Sequence, residues 1–153
     1  MDLVVFYSRT SNTRKVSEII AGQKDADLLE VKDQKSRSGA MGFFLGGFDA
    51  IRGKSTSISY NTVDLADYDT VYIGTPVWAS KPTPAILEFI RQNDFSSNDV
   101  VTFATLGGSG GESTVKAMNE VVTAKGGNVK RSFSFVMKGN DIEQLVLDAL
   151  NDE

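Results

Sequence analysis

From end to end the chain alternates short β-branched or aromatic runs with longer stretches of helical periodicity, and no other feature constrains the fold as tightly. Residues 2–7 (DLVVFY), 27–32 (DLLEVK), 70–75 (TVYIGT) and 99–105 (DVVTFAT) read as strands, and residues 129–136 carry a weaker alternation. Between them Val16, Ile19 and Ile20 share one helical face, with Gly22 as the expected stop. Thr83 and Pro84 have the N-cap and first-position chemistry of a helix that presents Ile86, Leu87 and Ile90. Val115, Met118 and Val122 form a third stripe closed by Gly126 and Gly127. Asn140 and Glu143 stand at capping-box spacing ahead of Ile142, Leu145, Val146 and Ala149. Strands joined through helices run parallel, and a parallel sheet is covered on both faces. The expected fold is an α/β doubly wound five-stranded parallel sheet of order 2-1-3-4-5, a single domain over residues 1–153.

Residues 36–60 interrupt the alternation. They hold Gly39, Gly42, Gly46, Gly47 and Gly53 together with Met41, Phe44, Leu45, Phe48 and Ile51 at helical spacing. Each glycine inside a helix costs about 1 kcal/mol relative to alanine, so a helix here needs outside packing. The segment reads either as the second helix of the series or as an apolar surface. In the second case residues 41–51 form a homodimer contact or a lid.

Composition narrows the chemistry. With no cysteine, disulfides, thiolate catalysis and iron–sulfur ligation are excluded; with no histidine, the usual base near neutral pH and the commonest metal ligand are missing. A net charge of -4 without a basic stripe argues against nucleic acid as a partner. No apolar run is long enough to span a membrane, and the chain enters its first strand without a leader, so a cytoplasmic setting is expected. Electrons, if the protein moves them, must be carried by a bound group, with no metal and no catalytic side chain of its own.

In an open α/β sheet, ligands bind outside the carboxyl ends of the strands where strand order reverses. Three loops fall there. Ser8, Arg9, Thr10, Ser11, Asn12 and Thr13 pack hydroxyls and an amide before a helix, where free N–H groups and a partial positive charge suit a phosphate. The same residues would also serve as a plain helix cap. Pro76, Val77, Trp78 and Ala79 follow the third strand; the chain's one tryptophan either stacks on a flat ligand or plugs the sheet edge. Leu106, Gly107, Gly108, Gly110 and Gly111 follow the fourth, and their glycines let backbone approach a ligand closely. Glu112 stands where a Walker loop would need lysine.

These loops resemble those of the flavodoxin family. Residues 8–13 are similar to its phosphate loop, Thr/Ser-x-Thr-Gly-Asn-Thr, residues 75–78 to its second flavin loop and residues 106–111 to its third. The resemblance implies FMN as cofactor, with Ser8, Thr10, Asn12 and Thr13 on the phosphate and Trp78 on the isoalloxazine. It implies backbone of the second and third loops at the ring's polar edge. It also implies a low-potential one-electron carrier working with redox protein partners, such as a ferredoxin or an electron-transfer enzyme. An NAD(P)H- or quinone-linked FMN oxidoreductase is the alternative. Three positions depart from the family pattern. Ser11 replaces a glycine, no tyrosine covers the ring from the third loop, and Ala79 stands where many members have a glycine whose peptide flips on reduction.

Overall fold

The computed structural model describes residues 1–33 and 57–151. In chain order the elements are β1 (Leu3–Phe6), α1 (Asn12–Lys24), β2 (Asp27–Glu30), β3 (Lys32–Asp33), β4 (Ile58–Ser59), a 3-10 turn (Leu65–Asp67), β5 (Thr70–Pro76), α2 (Pro84–Gln92), β6 (Asp99–Leu106), α3 (Gly111–Ala124), β7 (Asn128–Val136) and α4 (Ile142–Asn151). Five strands make one parallel sheet in the order β2-β1-β5-β6-β7, the expected doubly wound order.

Successive residues of a strand face opposite sides, and the core divides accordingly. Leu3, Val5, Val71 and Ile73 point toward Ile86, Phe89, Ile90, Met118 and Val122 of α2 and α3. Val4, Tyr72, Val101 and Phe103 point toward Val16, Ile20, Ile142 and Val146 of α1 and α4. Gly74 is demanded by this packing, because a Cβ there would collide with the Phe103 ring.

Several boundaries differ from the sequence expectation. The second strand ends at Glu30; Val31 still donates to Phe6 O (2.8 Å), after which Lys32 and Asp33 pair antiparallel with Ser59 and Ile58. Helix α1 runs through Gly22 and stops at Asp25, whose φ of 50° puts it in the left-handed region that ends helices. The α4 cap is Asp141, not Asn140. Asp141 Oδ1 accepts from Gln144 N (3.2 Å), while Asn140 Nδ2 is used to close the preceding turn on Val136 O (2.9 Å). Thr83 caps α2 as expected, accepting from Ile86 N. The apolar patch at residues 41–51, with its dimer or lid role, lies outside the described residues. Among the described residues no helix is long and apolar enough to cross a membrane.

Candidate functional site

The parallel register sets the ends of β1, β5 and β6 side by side, with Phe6 opposite Gly74 and Pro76 opposite Thr105. The three loops that leave those ends enclose a cleft of about 330 Å³. Arg9, Thr10 and Asn12 line it from the first loop, Pro76, Val77 and Trp78 from the second, and Thr105, Leu106 and Gly107 from the third side. Eight of these nine belong to the residues singled out in the sequence. Thr105 was missed; its signal was its place at the carboxyl end of a buried strand, hidden by reading the loop from Leu106 onward.

The first loop turns into α1 through Ser11, at φ 76° and ψ -7°, and Ser11 O accepts the helix-opening bond from Lys15 N (2.9 Å). Its side chain makes no cap hydrogen bond. The first N–H groups of α1 therefore lack the side-chain acceptor that a cap usually supplies. Ser8 Oγ is buried with no hydrogen-bond partner. Thr13 does not line the cleft itself. It is buried, its hydroxyl lies 2.8 Å from that of Thr105, and its carbonyl accepts from Ser17 Oγ (2.7 Å).

The second loop is anchored at both ends: Thr83 N donates to Thr75 Oγ1 (3.0 Å), and Thr83 caps α2. Between them Trp78 and Lys81 exchange backbone hydrogen bonds of 3.0 and 2.9 Å around Ala79 and Ser80, at φ 51° and 60°. Two positive φ values define a type I′ turn, here built without the usual glycine or asparagine. Trp78 is 7% exposed and meets Tyr7 edge-on, with centroids 5.7 Å apart. Arg9 places its guanidinium 5.8 Å from the centre of the Trp78 ring. Trp78 thus packs into the sheet edge and lines the cleft at once.

The third loop meets the second at Gly110, whose φ is 95° and whose missing Cβ leaves room for Ser80 Cα. Ser113 Oγ donates to Ser80 O (2.9 Å), so the second loop is latched to α3. Of the residues singled out in the sequence, Ser8, Ser11, Thr13, Ala79, Gly108, Gly110 and Gly111 shape these loops without lining the cleft.

An open doubly wound sheet with a three-loop cleft at its carboxyl edge defines the class of doubly wound α/β proteins, in which ligands bind outside the strand ends. A family model described as flavodoxin matches residues 49–138, and the chain belongs to the flavodoxin family. Flavodoxins are themselves among the proteins from which the strand-end rule was drawn. Among solved structures, the chain resembles a flavoprotein from Lactobacillus acidophilus in complex with FMN, at 27% identity and a TM-score of 0.72, covering 87% of this chain and 91% of that one. A candidate flavoprotein from Bacteroides uniformis is 24% identical with a TM-score of 0.79, covering 98% and 97%. Flavodoxin 1 from Bacillus cereus, in its oxidised form, is 15% identical with a TM-score of 0.58, covering 98% and 95%. The latter two likenesses speak to fold alone. No curated protein sequence matches the chain.

Proposed function

We propose that the chain binds FMN in the three-loop cleft and acts as an electron-transfer protein, a one-electron carrier between redox protein partners. The supporting observation is a single cleft lined by polar side chains of the first loop and by apolar and aromatic ones of the second and third. From the first loop, Thr10 and Asn12 line it at the uncapped start of α1. A phosphate supplies acceptors to such donors and is favoured by the positive end of the helix. From the second and third loops, Pro76, Val77, Trp78 and Leu106 offer apolar and aromatic surface to a flat ring. The residues present therefore fit FMN, the ligand of the Lactobacillus acidophilus flavoprotein.

Bound FMN would supply the redox chemistry. The chain's part is to hold the phosphate at residues 8–12, keep water off one side of the ring with the Trp78 turn, and set the charge around it. A carrier is favoured over an NAD(P)H- or quinone-linked reductase because the chain has no histidine to move protons near neutral pH.

Titration with FMN, FAD and riboflavin, followed by visible absorbance and Trp78 fluorescence, tests the cofactor. Tight, stoichiometric uptake of FMN is expected, and a protein that takes up none overturns the proposal. Rapid reduction by a ferredoxin system with slow reduction by NADH or NADPH is expected of a carrier. Several turnovers per second with NAD(P)H and a quinone would establish the reductase instead.

A further inference from the structure

Among the described residues that line the cleft, Arg9 is the one with a charged side chain. Its guanidinium stands beside the Trp78 ring, 5.8 Å from its centre. Resting on the FMN reading above, we propose that Arg9 makes the cleft favour the reduced, anionic flavin over the oxidised, neutral one, and so limits how low the potential can fall.

Uptake of two electrons and one proton, from an external donor, turns the neutral oxidised ring into a reduced ring with one negative charge. Apolar walls such as Pro76, Val77 and Leu106 disfavour that charge and lower the potential. A cation within about 4–6 Å of the ring does the opposite. Arginine is suited to this because it stays protonated at every working pH. The FMN phosphate carries the same charge in both redox states, so contact with it would not change the preference between them.

The test compares wild type, Arg9→Gln and Arg9→Lys in two-electron dithionite titrations against a reference dye, loaded with FMN and then with riboflavin. Arg9→Gln should weaken the reduced flavin relative to the oxidised one by about tenfold, a fall of about 30 mV in the two-electron potential. Arg9→Lys should keep most of the wild-type value. Riboflavin should show the same fall as FMN, since the effect does not involve the phosphate. Arg9 is partly buried, and Arg9→Met repeats the measurement with an uncharged chain of similar length. An unchanged potential in Arg9→Gln and Arg9→Met overturns the proposal. So does an equal loss of affinity for both redox states of FMN that vanishes with riboflavin, which would make Arg9 a phosphate ligand. A wild type that binds no flavin overturns the functional reading itself, and is distinguished by the absence of any flavin spectrum.

Discussion

The hydroxyls of Thr13 and Thr105 meet at 2.8 Å in the protein interior, across 92 positions of sequence, and join the first turn of α1 to the carboxyl end of β6. Removing one partner leaves the other buried and unpaired, at a cost of about 1–3 kcal/mol. Thr13→Val and Thr105→Val should each lower stability in urea denaturation by that order. The double variant should recover much of the loss, because neither hydroxyl remains to be satisfied. Losses that simply add would show that the two residues act independently.

Thr10 lines the cleft and Thr13 does not. A hydrogen bond to a charged group contributes about 1.5–3 kcal/mol. Thr10→Ala should therefore weaken FMN by roughly tenfold to a hundredfold, measured by fluorescence titration. Its effect on the stability of the FMN-free protein should be small, the reverse of the Thr13→Val pattern.

Ser11 and Ser80 hold φ values of 76° and 60°, where a side chain costs about 1–2 kcal/mol relative to glycine. Glycine also loosens the unfolded chain, which offsets about 0.4–1 kcal/mol of the gain. Ser11→Gly and Ser80→Gly should each raise stability by a few tenths to about 1 kcal/mol, visible as a higher Tm. A lower Tm for either variant would show that its serine side chain contributes more than its backbone strain costs.

Trp78 is both core and cleft wall, so Trp78→Ala should act twice. Truncating a buried tryptophan costs about 3–5 kcal/mol of stability, and flavin affinity should fall as well. Trp78→Phe should retain most of the stability while still weakening the flavin. In the wild type, FMN uptake should strongly quench tryptophan fluorescence, and emission unaffected by FMN would confine Trp78 to the core role.

At the opposite edge of the sheet, the Tyr68 hydroxyl donates to Asp27 Oδ2 at 2.7 Å. That hydrogen bond, with burial and the Asp27 charge, raises the phenol above its ordinary value of 10.0. A raised value favours the neutral phenol in the folded state. Its contribution is full below the unfolded value and disappears as pH climbs through the folded one. Tyr68→Phe should flatten the alkaline limb of a stability–pH curve, and an unchanged limb would remove Tyr68 as its source.

Much of the site was legible because its signals are local. A polar turn before Val16, a tryptophan after a TVYIGT strand and a run of glycines after DVVTFAT each mark a loop by composition. The cap of α4 was harder to place. Asn140 and Asp141 offer the same chemistry one position apart, and only the turn to Val136 O decides between them. The short β3–β4 pair carried no periodic signal at two residues per strand.

By itself the sequence determined the alternation of strands and helices, their order in the sheet and the edge at which the loops gather. Those follow from the period of burial along the chain, a property that neighbouring residues report directly. The tertiary structure alone decided that Thr13 faces Thr105, that Arg9 lies over Trp78, and that Ser11, Ala79 and Ser80 occupy left-handed backbone. The partner of a hydroxyl or a guanidinium depends on strand register and on where each helix settles on the sheet. Those are set by the packing of the whole core, and no local pattern encodes them.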